Sequence, residues 1–155
     1  MSFENRIITK RLKKKEIPLI LEKYKDCNIT ITETEEKNSG FCAEVCFKNL
    51  KFKIPNSYPF KPPKLFVNDK DYQSMLCINN IEINKELKNR NIPCLCCNSV
   101  LCNWSPIYRI IDIIDEFYTN KKIIFDSRAK ILLEKICIKN NIYFENIIKK
   151  IISFL

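Results

Sequence analysis

The sequence predicts an α+β fold with an N-terminal helix, a four-stranded antiparallel meander and C-terminal helices. Three observations lead there. Apolar residues near the N-terminus recur at helical spacing. Residues 28–54 then alternate apolar and polar, with only short turn signals between the runs. A proline-dense stretch and a polar connection separate this part from a second set of helical patterns. With 155 residues the chain fits one domain, 1–155, large enough to bury a core of its own.

Taken in order, residues 3–16 place Phe3, Ile7, Ile8, Leu12 and either Lys15 or Glu16 along one side of a helix. Arg6, Lys10, Arg11, Lys13 and Lys14 make its other faces basic. Pro18 ends or kinks this helix, because it lacks an N–H and its ring crowds the preceding turn. Residues 28–34 are a first strand. Lys37 to Gly40 is a turn, and Gly40, the only glycine, suits a positive φ. Phe41–Phe47 and Leu50–Ile54 are the second and third strands, joined by a tight turn at Lys48-Asn49. Four prolines between Pro55 and Pro63 exclude helix and central strand, and imply a stiff, extended loop. Lys64–Val67 is the fourth strand.

Residues 68–93 are polar and form a long connection. Ser105-Pro106 suits a helix start, and Tyr108, Ile110, Ile111, Ile113, Ile114 and Phe117 carry that helix to about Tyr118. Residues 127–138 and 142–154 read as two further amphipathic helices.

Composition narrows the chemistry. There is no histidine, so Cys-His metal sites and histidine bases are excluded, and any proton transfer falls to Asp, Glu, Lys, Tyr, Cys or water. No apolar run is long enough to cross a membrane, and Met1 to Asn5 opens no secretory apolar core. Nine cysteines in that setting imply a reducing compartment, cytoplasmic or nuclear, and act there as thiols, ligands or nucleophiles. The net charge of +9 accompanies an excess of Lys, Asn and Ile, as an A/T-rich coding sequence produces. The basic residues are spread along the chain and no recognisable nucleic-acid-binding motif accompanies them, so the charge by itself designates no nucleic-acid partner.

Four cysteines and the only tryptophan fall in Cys94-Leu95-Cys96-Cys97-Asn98-Ser99-Val100-Leu101-Cys102-Asn103-Trp104-Ser105-Pro106. Two chemistries fit it: a reactive thiol, or a metal held by several thiolates. The spacing Cys94-x-Cys96-Cys97-x4-Cys102 could hold zinc with Cys77 from upstream. It is not a pair of Cys-x2-Cys knuckles.

Ile54-Pro55-Asn56-Ser57-Tyr58-Pro59-Phe60-Lys61-Pro62-Pro63-Lys64 is followed by Trp104-Ser105-Pro106, with a cysteine, Cys96, eight residues before that tryptophan. In these features the chain resembles the core domain of the ubiquitin-conjugating enzymes. The resemblance runs from about residue 3 to the end. It implies that Cys96 accepts ubiquitin or a ubiquitin-like modifier as a thioester from an activating enzyme and passes it to lysine, with no cofactor. Leu95, Cys97 and Asn98 match the family's surroundings of that cysteine. Asp126 stands near the family's acidic gate beside the thioester, although Asp126-Ser127 also suits a helix N-cap. The resemblance further implies partner surfaces. An activating enzyme would read Arg6, Lys10, Arg11, Lys13 and Lys14, and a ubiquitin ligase would contact the first helix, Phe60, and Ser105, Pro106 and Ile107.

The departures matter equally. Gln73-Ser74-Met75 stands where the family carries His-Pro-Asn, so the oxyanion donor is missing. Loss of one such donor typically costs about 10²–10³-fold in rate. An insertion at about 76–93 supplies Asn79, Asn80, Asn89 and Asn91 as substitutes. The alternative function is a catalytically inactive scaffold of this fold, with a zinc site drawn from Cys77, Cys94, Cys96, Cys97 and Cys102.

Overall fold

Helical backbone runs from Phe3 to Lys23 without interruption in this computed structural model, which describes residues 3–25, 27–33, 40–92 and 94–140, with side chains from residue 7 onwards. It comprises α1 (Phe3–Arg11), a π-helical turn (Leu12–Glu16) and α2 (Ile17–Lys23). Pro18 therefore does not end the helix. Its ring would collide with the carbonyl four residues back in a regular α-helix. The wider π turn lies just before it, and Ile17 N–H reaches back five residues to Leu12 O. Ile8, Leu12, Glu16 and Ile20 are buried, while Ile7 is exposed. Of the two residues at the end of the apolar face, Glu16 is the one inside.

The sheet has five strands in the order β1-β2-β3-β4-β5, all antiparallel, where the sequence predicts four. They are β1 (Ile29–Glu33), β2 (Phe41–Phe47), β3 (Leu50–Pro55), β4 (Lys64–Val67) and β5 (Lys70–Asp71). Gly40 enters β2 with φ of +70°. A bulge between Phe41 and Ala43 turns both Cys42 and Ala43 inward, and strict alternation resumes after it. The additional strand β5 follows Asn68-Asp69, both at positive φ (48° and 61°), a two-residue hairpin turn that Asn and Asp tolerate.

The proline stretch is not extended throughout. Tyr58 N–H bonds to Pro55 O, and Phe60 and Lys61 N–H both bond to Ser57 O, giving consecutive turns with a cis Tyr58–Pro59 peptide. The polar connection is also more ordered than its composition suggests. It contains α3 (Tyr72–Leu76), capped by Asp71, and α4 (Ile81–Asn89), capped by Asn80. The two helices read separately in the sequence at 105–118 and 127–138 are parts of one, α5 (Ile110–Lys139). Ser105-Pro106 precedes it in a turn closed by Tyr108 N–H on Ser105 O. The helix starts at Ile110, where the Asp112 carboxylate accepts Arg109 N–H at 2.7 Å and Glu16 accepts Ile110 N–H at 3.1 Å. The helix read at 142–154 lies outside the described residues.

The chain forms two compact units. The first is 1–77 with 94–117, and the second is 78–93 with 118–155. The first unit holds the sheet, the N-terminal helices, the cysteine stretch and the start of α5. Its core gathers Val45, Phe47, Leu50, Phe52, Ile54 and Leu65 from the sheet, and Leu12, Ile20, Ile110, Ile113 and Ile114 from helices. In the second unit α4 is tied to α5 by Lys130 Nζ on both Glu86 carboxylate oxygens (3.0 and 2.8 Å) and by Lys135 on Glu82. No helix among the described residues is long and apolar enough to cross a membrane.

Candidate functional site

Two irregular segments of the first unit converge on Trp104. Its indole Nε1 donates to Pro59 O at 2.7 Å, so the tryptophan after the cysteines is tied directly to the proline loop. Tyr58 and Tyr108 flank the indole with ring centroids 6.0 and 6.1 Å away. The Tyr58 hydroxyl donates to Glu16 at 2.8 Å, and burial, with the adjacent Glu16 charge, pushes its pKa far above the ordinary phenol value. Arg11 donates to the same carboxylate at 3.0 Å, lies 5.4 Å over the Tyr58 ring, and reaches Pro106 O at 3.5 Å.

The cysteine stretch is a series of turns. Asn98 N–H bonds to Cys94 O, and both Cys102 and Asn103 N–H bond to Ser99 O. Glu116 of α5 anchors it. One carboxylate oxygen accepts Ser99 Oγ at 2.8 Å and Tyr72 Oη at 3.2 Å, and the other accepts Val100 N–H. The Asn103 side chain donates back to Cys97 O and Ser99 O. Sequence reading passed over Glu116, although its position about three turns into the helical pattern after Trp104, on the same face as Asp112, was a usable signal.

Cys94, Cys96 and Cys97 come together, with all three sulfurs within 4.8 Å of one another. Sγ of Cys94 and Cys96 are 2.9 Å apart, and those of Cys96 and Cys97 are 3.8 Å apart. A hydrogen bond from the Cys96 thiol, with others from Cys97 and the local backbone, lowers Cys94 to about 7. The same bond with Cys94, followed by that with Cys97, pushes Cys96 up to about 12. The first proton of the pair therefore leaves near neutral pH, from Cys94, and the second is held to far higher pH. Cys77 contributes least to the rise at Cys96, and its sulfur is outside the three-sulfur group. Cys102 does not join them. It is outside the three-sulfur group, and its sulfur accepts Gln73 Nε2 at 3.4 Å.

The remaining predicted residues are distributed as follows. Gln73, Ser74 and Met75 of α3 occupy the His-Pro-Asn position, with Met75 at the place of the Asn and exposed. Ser74 is bound to Asp71 through both N–H and Oγ, which leaves the Gln73 carboxamide as the amide donor beside the cysteine stretch. Asn79, Asn80, Asn89 and Asn91 belong to the second unit, and Asn80 is committed to capping α4. Asp126 also lies in the second unit, within α5 and half-buried. It is not an N-cap, since the helix is continuous there and Ser127 Oγ bonds back to Ile123 O. Lys10, Lys13 and Lys14 are exposed, with Lys13 3.9 Å from Glu33, whereas Arg11 is half-buried and engaged as above. The Arg6 side chain is outside the described residues. Phe60 and Ile107 are each 79% exposed, Pro106 is exposed and Ser105 half-buried. Comparison with protein-family models, with curated proteins and with solved structures returns no match to this chain.

Proposed function

We propose that the first unit is a transfer module resembling the ubiquitin-conjugating enzymes, which accepts ubiquitin or a ubiquitin-like modifier as a thioester on Cys96 and passes it to a lysine amine. The observation that carries this reading is the Trp104–Pro59 hydrogen bond. It unites the proline loop and the Trp-Ser-Pro stretch, the two motifs on which the resemblance rests, with Cys96 eight residues upstream of the indole.

The cysteine pair supplies a proton acceptor in a chain that has no histidine. Cys96 Sγ attacks the carbonyl carbon of the activating enzyme's thioester. Its proton passes over the 2.9 Å contact to the Cys94 thiolate, and the activating enzyme's thiolate leaves. In the second half a lysine amine attacks the Cys96 thioester, Cys96 leaves as thiolate, and the amine proton goes to solvent. The Gln73 carboxamide is the amide donor available to the oxyanion once it leaves Cys102. Lys10, Lys13 and Lys14 offer a basic face to an activating enzyme. Phe60, Pro106 and Ile107 offer an apolar one to a ligase, with Phe60 pre-ordered by its turns. The second reading, an inactive scaffold, is favoured by one specific observation: Met75, which has no side-chain donor, stands where the family carries its Asn, and the Gln73 carboxamide is already engaged by Cys102.

Incubation with activating enzyme, ATP and the modifier tests this. The expected product is a reductant-sensitive adduct that becomes reductant-resistant in Cys96→Ser and disappears in Cys96→Ala. An adduct that survives Cys96→Ala but not Cys94→Ala moves the acceptor to Cys94. Absence of any adduct with ubiquitin or its relatives retires catalysis in favour of the scaffold.

A further inference from the structure

We propose that Cys94, Cys96 and Cys97 form a binding site for one thiophilic cation of the zinc class. Tetrahedral coordination with metal–sulfur bonds of about 2.3 Å sets ligand sulfurs about 3.8 Å apart. The Cys96–Cys97 pair stands at 3.8 Å, and the third sulfur lies within 4.8 Å of both. The Cys94–Cys96 pair, at 2.9 Å, opens by about 1 Å to reach that spacing. These three sulfurs come from a four-residue turn closed by Asn98 N–H on Cys94 O and held at Cys97 O by the Asn103 side chain, which limits the ordering left for the metal to impose. Cys94 and Cys97 are exposed, which leaves the site open to an ion without unfolding.

The donor set decides the class of ion. It contains sulfur alone, with no carboxylate in the group. Soft donors select zinc or cuprous copper over magnesium and calcium. Cys77, also exposed, is outside the three-sulfur group, so the fourth coordination position falls to water. Cys102 is excluded by its place on Gln73. A single metal engages all three clustered sulfurs, whereas a disulfide between any two leaves the third unpaired.

The site overlaps the proposed acceptor, which gives it a regulatory consequence that rests on the transfer reading. A Cys96 sulfur bound to metal is not free to attack a thioester. Metal occupancy and charging of the module therefore exclude each other.

Cobalt(II) titration of the full chain, reduced and freed of metal, tests the binding directly. The expected result is sulfur-to-cobalt charge-transfer absorption with the visible bands of tetrahedral cobalt, saturating at one ion per chain and abolished by zinc. Cys96→Ser and Cys94→Ser should weaken cobalt binding at least tenfold, and Cys102→Ser and Cys46→Ser should leave it unchanged. Absence of the charge-transfer band, or full binding by Cys96→Ser, overturns the site. Charging is then assayed with and without saturating zinc, beside Cys97→Ser, which loses one metal ligand but keeps the Cys94–Cys96 pair, as a control for zinc acting on the activating enzyme. Inhibition of the unaltered chain alone supports exclusion, and equal charging of both overturns it. A chain that binds cobalt but is never charged under any condition keeps the metal site and retires the transfer reading.

Discussion

The proline loop and the cysteine loop are both irregular segments next to Trp104, and each is anchored by one helix carboxylate. Glu16 anchors the first and Glu116 the second, but the two anchors are built differently. Glu16 is 1% exposed and serves a charged donor and two neutral ones: Arg11, the Tyr58 hydroxyl and Ile110 N–H. Glu116 is half-buried and serves neutral donors: Ser99, Tyr72 and Val100 N–H. The thiols follow the same division. Cys42, at the foot of the proline loop, is 2% exposed and donates to Ile54 O at 3.6 Å, and burial pushes its pKa up. Cys94 is exposed and pulled down by its neighbours. One loop is scaffold, and the other holds reactive groups on a lighter tether.

Glu16→Ala is the change expected to have the largest effect. It leaves the buried Tyr58 hydroxyl and Ile110 N–H without their acceptor and deprives Arg11 of its counter-charge. The expected loss is about 3 kcal/mol, seen as a lower urea midpoint with unchanged slope, because unsatisfied buried groups cost more than the bonds they replace. Arg11→Ala should cost clearly less, since its guanidinium is partly solvated. Equal losses from the two would mean that the ion pair, rather than the capping of α5, gives Glu16 its weight.

Glu116→Ala should separate stability from site order. Its donors lie nearer solvent, so the expected cost is about 1 kcal/mol. Backbone protection at Val100 should nevertheless collapse in hydrogen exchange, and the yield of the thioester adduct should fall with it. A stability loss matching that of Glu16→Ala, with Val100 still protected, would remove the distinction between the two loops.

The difference between the loops also governs what could be read from sequence. Strands β2 and β4 were legible to the residue because alternation and flanking turns bound them on both sides. The Asn68-Asp69 hairpin was written in the sequence as well, yet β5 is too short to carry an alternating pattern. Helices α3 and α4 were overlooked because their polar residues outweigh a narrow apolar stripe. Their caps, Asp71 and Asn80, were the signal. Nothing local could reveal Glu16 as a buried cap for a helix 94 residues later, because its partners are brought together only by folding. The cysteine cluster was legible as a cluster. Which members meet was not: Cys102 differs from its neighbours only in the turn at Ser99 that carries its side chain to Gln73.

The smallest effect expected is a change in pH dependence, and it tests the thiols alone. Thiolate, not thiol, reacts with iodoacetamide, so alkylation follows the deprotonated fraction. With Cys94 near 7, its rate in the metal-free folded chain should rise about tenfold from pH 6 to pH 8 and then level off. Cys42 should stay unmodified over that range, because its thiol is both enclosed and held protonated by burial. The leading cause of the Cys94 shift is the hydrogen bond from Cys96, so Cys96→Ala should move the half-point upward toward the ordinary thiol range and slow alkylation at pH 7 several-fold. Peptide mapping by mass spectrometry separates the two residues. A Cys94 profile that ignores Cys96→Ala would trace the shift to the Cys97 thiol and the backbone N–H groups of Cys96 and Cys97. The turn itself, not the thiol pair, would then be the source of reactivity, and proton passage between Cys94 and Cys96 would lose its basis.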